Sequence, residues 1–295
     1  MSMMPKSTRK NENENVGVGA LGRRRGRTAL QSALLPLLLA FTTACQTTTP
    51  AERPSTAGAG FSIRYDQPSS SDAADAAFLR KRRLPEEAVR SVTALVEVSP
   101  PVAMVVRSCH GEGSAYDPDT RRVEVCYDEI SETRDLYQDA GQPLSDDTLS
   151  AVTLETLFHE SAHAVLDALD LRASGREEDF ADQFAALMLL RQGVRGEDRL
   201  LAAAEAWRLS AITYENVDDG QADEHSTDHQ RAVNYLCYVY GAAPARHQNL
   251  VDAHALPVDR ARGCTGEWKT VQTTWLNTLG RHARHDAGGS SMTTP

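Results

Sequence analysis

Residues 157–163 read Leu157-Phe158-His159-Glu160-Ser161-Ala162-His163 and contain the pattern HExxH. On a helix, positions i and i+4 lie on one face, so the imidazoles of His159 and His163 can bind one metal ion. Glu160 stands beside the first imidazole, where it can take a proton from a metal-bound water. The alternative is a surface helix with two solvated histidines. Apolar residues at helical spacing around the motif support a helix: Leu154, Leu157, Phe158, Val165, Leu166 and Leu169.

A second acidic stretch begins fifteen residues past His163 and reads Glu178-Asp179-Phe180-Ala181-Asp182-Gln183-Phe184-Ala185. Glu178 and Asp182 are four residues apart on a predicted helix and therefore share a face. A carboxylate at Glu178 completes two histidines and one glutamate around zinc. Asp182 can then accept a hydrogen bond from a ligand imidazole and fix its tautomer. Glu177 is the competing third ligand, whereas Asp167 is expected to be a surface charge.

The ExxxD pattern after HExxH is similar to that of the gluzincin metallopeptidases. Over residues 61–283 the order of motifs also resembles a bacterial family of secreted zinc metallopeptidases of unknown biological role, most specifically in the run Gly175–Ala185. Members more often carry Leu-Gly where this chain has Ser161-Ala162, and neither position is a ligand. The resemblance implies Zn²⁺ as cofactor and a peptide or protein as substrate.

The resemblance also implies a mechanism. Zinc lowers the pKa of its bound water towards about 7, and Glu160 acts as general base before passing the proton to the leaving amine. The oxyanion needs a stabilising group, for which His225 is predicted because gluzincins often supply a downstream His or Tyr. A surface histidine in a polar loop is the alternative, and Arg231 and Tyr127 are further candidates. An exposed strand edge is the expected binding site for a peptide.

Two other functions stay open at this point. The first is a non-catalytic envelope lipoprotein that keeps zinc for a structural or partner-binding role. The second is a metal-dependent hydrolase of a non-peptide amide, such as a cell-wall bond. Glu160 argues against the first, because zinc binding alone requires no general base.

Four of the five cysteines lie within residues 61–285, and four cysteines allow three pairings. Cys109 and Cys126 flank the turn 117–120 between two predicted strands, so a bridge across a hairpin is expected. Cys237 would then pair with Cys264. Each bridge would stabilise the fold by about 3 kcal/mol. Four buried thiols are the alternative, and the lack of Cys-x-x-Cys spacing disfavours a cysteine zinc site.

The N-terminus has the pattern of an export signal. Four arginines within residues 23–27 precede an apolar run over 29–41, and small residues at 42–44 lead into Cys45. The apolar run is shorter than the roughly 20 residues that span a bilayer. Cys45 stands where a bacterial lipoprotein carries its lipid. We therefore predict an exported protein, held by a lipid anchor at the outer membrane or facing the periplasm, with a secreted protein as the alternative.

Composition divides the chain into a lipoprotein signal peptide (1–44), a flexible tether (45–60), a metallopeptidase domain (61–285) and a disordered tail (286–295). Strands are predicted at 61–65, 102–106 and 122–127. Helices are predicted at about 85–96, 146–170, 178–192, 198–212, 227–241 and 266–283. The predicted fold is α+β, with a small antiparallel sheet followed by a helical zincin-type domain that carries the HExxH active-site helix.

The charge distribution argues against one class of partner. The chain has 31 basic and 41 acidic residues, and seven of the basic residues but only two of the acidic ones lie in 1–44. Residues 45–295 therefore carry a formal charge of −15. A domain this acidic repels phosphate backbones, so nucleic acid is not an expected partner.

Overall fold

The computed structural model describes residues 60–214 and 226–284. Several predicted features lie outside the described residues: the signal peptide, the lipid attachment site Cys45, the tether up to residue 59, His225 and the tail 286–295. Within the two described ranges, none of the helices combines the length and apolarity needed to cross a bilayer.

The described ranges are mostly helical, with one small sheet, and the predicted α+β class is confirmed. The elements in chain order are β1 Phe61–Tyr65, α1 Ala73–Arg82, α2 Leu84–Leu95, β2 Val102–Arg107, β3 Ala115–Asp117, β4 Arg122–Cys126, α3 Glu129–Asp139, α4 Asp146–Ala168, α5 Glu177–Leu190, α6 Val194–Tyr214, α7 Asp228–Ala242, α8 Gln248–Asp252 and α9 Val258–Leu279.

The sheet is mixed, so the predicted antiparallel sheet is wrong. Its strand order is β1-β2-β4-β3, with β2 parallel to both β1 and β4, and only β3 and β4 run antiparallel. Strands β2 and β4 cannot form a hairpin, because parallel neighbours need a crossover connection. The turn at 117–120 instead joins β3 to β4. Strand β3 was not predicted, because three residues are too few to show an alternating pattern. Strand β3 lies at an edge of the sheet.

Helix α4 carries the HExxH motif through the centre of the domain. It begins where the hydroxyl of Ser145 accepts a hydrogen bond of 3.0 Å from the backbone N–H of Thr148. Asp146 and Asp147 lie in its first turn, where their negative charges interact favourably with the positive end of the helix dipole. The helix then packs against α2, α5, α6 and the sheet. Almost all of its residues from Leu149 to Leu166 are buried, so its two histidines are held by packing on several sides.

Helix α5 is anchored to α9 by aromatic rings. The ring of Trp275 stacks on Phe180 with centroids 4.1 Å apart and contacts Phe184 at 4.6 Å. The indole N–H of Trp275 also donates a hydrogen bond of 3.0 Å to the carbonyl of Phe180. These contacts fix α5 around its own axis and thereby fix the direction in which its acidic residues point.

Both predicted disulfides are confirmed, Cys109–Cys126 and Cys237–Cys264. The first forms for a different reason from the one predicted. Since β2 and β4 are parallel, their carboxyl ends lie at the same edge, and Cys109 follows β2 beside the last residue of β4. The second joins α7 to α9.

Candidate metal centre

Three predicted ligands converge at the contact between α4 and α5. The Nε2 atoms of His159 and His163 lie 3.3 Å apart. The Oε2 atom of Glu178 lies 3.1 Å from Nε2 of His159 and 3.5 Å from Nε2 of His163. Both imidazoles point the same way because they are one helical turn apart on α4. Glu178 reaches them from the first turn of α5.

These donors fit a small divalent cation. Metal–ligand bonds of about 2.0–2.1 Å in tetrahedral geometry place neighbouring ligand atoms about 3.3–3.4 Å apart. The three separations, 3.3, 3.1 and 3.5 Å, match this spacing. Two imidazoles and a carboxylate are a donor set that suits zinc and several other transition metals. Three protein ligands leave a fourth position for water or substrate.

The charge around the imidazoles also favours a cation. Burial lowers the pKa of His159, but its contacts with Asp182 and Glu178 outweigh burial and raise the pKa to about 10. For His163, burial likewise lowers the pKa, whereas the contact with Glu178 contributes most to raising it above its usual value. The carboxylates therefore favour positive charge at this point, which either protons or a metal ion can supply.

The outer nitrogen of each histidine has its own carboxylate. Nδ1 of His159 lies 2.8 Å from Oδ1 of Asp182, and Nδ1 of His163 lies 2.8 Å from Oε1 of Glu177. Such contacts fix the tautomer that leaves Nε2 free to bind a metal. Glu177, the competing third ligand, therefore contacts the nitrogen that faces away from the point where the three donors converge.

An open cleft of about 430 Å³ adjoins these ligands. Glu160, only 3% exposed, forms part of its wall together with His163 and Glu178. Edge strand β3 borders the same cleft, where the hydroxyl of Tyr116 donates a hydrogen bond of 2.6 Å to Asp167. Asp167, predicted to be a surface charge, thus connects α4 to β3 at the rim. The cleft brings a general-base candidate, the candidate metal ligands and a strand edge together.

Neither of the further oxyanion candidates borders this cleft in the part of the chain that the structure describes. Arg231 is buried on the other side of His159, where its Nε donates a hydrogen bond of 2.8 Å to Asp182. Tyr127 donates a hydrogen bond of 2.8 Å to the backbone carbonyl of Asp66. His225 lies outside the described residues, so its role stays a prediction.

Two residues of the site were not found from the sequence. Glu155 lies one turn before His159 on α4, and Tyr235 lies one turn after Arg231 on α7. The hydroxyl of Tyr235 donates a hydrogen bond to Glu155 and also lies 3.2 Å from Oδ1 of Asp182. Burial raises the pKa of Glu155. For Asp182 burial acts in the same direction, but Arg231 and His159 outweigh it and lower the pKa to about 2. The sequence did offer one signal for both residues, because each lies four positions along a helix from a residue that was already a candidate.

The donor set, the neighbouring carboxylate and the cleft together define a candidate metallohydrolase centre. Residues 65–279 match a protein family whose description reads "Putative metallopeptidase". The chain belongs to this family. No curated protein and no solved structure matches the chain. Family membership indicates metal-dependent hydrolysis, and the three converging donors mark where a metal ion could bind.

Proposed function

We propose that the protein is a zinc-dependent peptidase of gluzincin type, in which His159, His163 and Glu178 bind the metal. The observation that carries the proposal is the convergence of three donor atoms beside Glu160 in the wall of an open cleft. A structural zinc site is usually closed by four protein ligands, whereas a catalytic one keeps a position for water. The cleft therefore favours catalysis over a purely structural role.

The chain's own residues would divide the reaction as follows. The zinc that His159, His163 and Glu178 would hold would supply polarisation of the scissile carbonyl and a more acidic water. Glu160 takes a proton from that water and delivers it to the nitrogen of the leaving amine. Asp182 and Glu177 hold the two imidazoles in the orientation that binds metal. The edge of β3 is available to pair with the backbone of an extended peptide.

The test is the variant Glu160→Gln, which keeps the size of the side chain and removes its basicity. We expect it to retain zinc at the wild-type stoichiometry and to lose peptide cleavage by about 10²–10⁴-fold. Zinc content and cleavage of a peptide library are measured together. Glu205→Gln, a change at an exposed ion pair on α6, is the matched control. A zinc-loaded wild type that cleaves no peptide would support the structural role instead.

We further propose that the protein is exported and attached to the cell envelope through a lipid on Cys45. The signal-like residues 1–44 support export. The two disulfides agree with an oxidising compartment. Labelling with radioactive palmitate is expected for the full chain and not for Cys45→Ser. Equal labelling of both proteins would contradict the anchor.

A further inference from the structure

A buried polar cluster lies behind the metal centre, on the side of His159 away from Glu178. The guanidinium of Arg231 contacts both carboxylate oxygens of Asp182. Its Nε donates a hydrogen bond of 2.8 Å to Oδ2, and its Nη2 donates to Oδ1. The hydroxyl of Tyr235 contacts Oδ1 of Asp182 at 3.2 Å and also donates to Glu155. Asp182 therefore meets two groups of α7 as well as the imidazole of His159.

Helix α7 contributes this pair without contributing any of the three proposed ligands. Arg231 and Tyr235 are four residues apart and so occupy one face of α7. Trp207 of α6 covers the guanidinium of Arg231, with its ring centroid 3.6 Å from Cζ. A planar guanidinium that is stacked on one side and paired through two nitrogens has little freedom to turn.

We propose that Arg231 and Tyr235 are positioning residues of the metal centre, which act through Asp182. They hold its carboxylate so that Oδ1 faces Nδ1 of His159, and Nε2 of His159 then faces Glu178 and His163. Without the pair, the Asp182 carboxylate could rotate away from the imidazole. This inference rests on the proposed metal site.

The same contacts could also serve only to attach α7 to α4 and α5. The two roles differ in what they predict, because a purely adhesive contact contributes to folding stability without affecting metal affinity. A positioning contact affects the affinity of the folded protein, since losing an outer partner of a ligand typically weakens binding by about 10–100-fold.

The experiment measures the zinc dissociation constant by competition with a chelator, together with the melting temperature of the metal-free protein. Arg231→Gln is expected to weaken zinc binding by about 10–100-fold. Tyr235→Phe removes one hydroxyl without changing shape and is expected to weaken binding roughly 2–10-fold. Arg231→Lys keeps the charge and loses the planar fork, so it should recover only part of the affinity.

Two matched controls separate positioning from stability. Arg199 is as buried as Arg231, at 8% against 6% exposed, and pairs with Glu87 of α2 instead of the metal centre. Tyr137 is a buried tyrosine whose hydroxyl has no hydrogen-bond partner among the described residues. Arg199→Gln should lower the melting temperature, and both it and Tyr137→Phe should keep the wild-type zinc affinity.

The outcomes separate this inference from the proposed function. Folded Arg231→Gln and Tyr235→Phe proteins with wild-type zinc affinity would overturn the positioning role. If Arg231→Gln does not fold, Tyr235→Phe decides by the same measurement. A wild type that binds no zinc would overturn the proposed metal site itself.

Discussion

At the residue scale, two adjacent glutamates have different environments because they point in different directions. Glu177 and Glu178 are the first two residues of α5, about 100° apart around the helix axis. The side chain of Glu178 is 17% exposed and faces the two Nε2 atoms. That of Glu177 is 57% exposed and faces only the outer nitrogen of His163. Sequence alone favoured Glu178 through its spacing to Asp182 and left Glu177 open.

This difference predicts unequal effects of two alanine variants. Glu178→Ala removes one of the three proposed ligands and should weaken zinc binding by more than about 100-fold, beyond the usual effect of losing an outer partner. Glu177→Ala removes a largely exposed outer partner and should weaken binding by about 10-fold or less. Zinc content after dialysis and chelator competition measure both. Zinc retained by Glu178→Ala and lost by Glu177→Ala would reverse the assignment.

The contacts of Arg231 and Tyr235 with Asp182 could not be predicted from the sequence. The relative positions of His159, Glu160 and His163 follow from their spacing in the sequence, because one helical turn brings the two histidines together. Arg231 and Tyr235 meet Asp182 only through the packing of α7 against α5. Some 50 residues separate them along the chain, and no local pattern encodes that contact. Arg231 was accordingly predicted as an oxyanion candidate, whereas the structure places it in a buried pair.

At the element scale, the α+β class could be predicted and the strand pairing could not. The alternation of apolar and polar residues over Arg122–Cys126 identifies a strand with one buried face. This pattern is the same whether the neighbouring strand is parallel or antiparallel. Helix α1 was missed because few large apolar residues mark its buried face, chiefly Phe78 and Leu79. Helix α9 begins at Val258, earlier than predicted. Its first part was missed because Gly263 and Gly266 have low helix propensity and weaken the helical pattern there.

The two disulfides join different elements, so their loss should have different consequences. Replacing either pair by serine should lower the free energy of unfolding by about 2–4 kcal/mol, because a closed loop is released in the unfolded chain. Cys126 also donates its N–H to the hydroxyl of Ser114, the residue before β3. Loss of Cys109–Cys126 should therefore raise KM as well, whereas loss of Cys237–Cys264 should not.

Urea denaturation and steady-state kinetics of the two double variants check this prediction. The Cys237→Ser/Cys264→Ser protein is the comparison for KM, since its bridge joins α7 and α9 and not the part of the sheet that borders the cleft. A KM that rises equally in both proteins would show that the change reflects general destabilisation. An unchanged urea midpoint in either protein would contradict the contribution of its bridge to stability.

At the scale of the whole molecule, a metal ion would connect two consecutive helices, and a third helix that is distant in sequence would support them. The proposed ligands lie on α4 and α5, and Arg231 of α7 contacts Asp182 behind them. A ligand that binds only the folded state stabilises it by about 2.7 kcal/mol at a concentration 100 times its dissociation constant. For a domain of 150–250 residues this corresponds to a rise in Tm of about 5–11 °C.

The size of this rise should depend on pH. The raised pKa of His159 in the metal-free protein means that its proton stabilises the fold below pH 6.5, and this contribution is lost as the pH rises towards about 10. Zinc must displace that proton, so it competes less well at low pH. Scanning calorimetry with zinc or EDTA should therefore give a larger zinc-induced rise at pH 8 than at pH 6. Glu178→Ala should show almost none at either pH, and a larger rise at pH 6 in the wild type would contradict binding through the His159 imidazole.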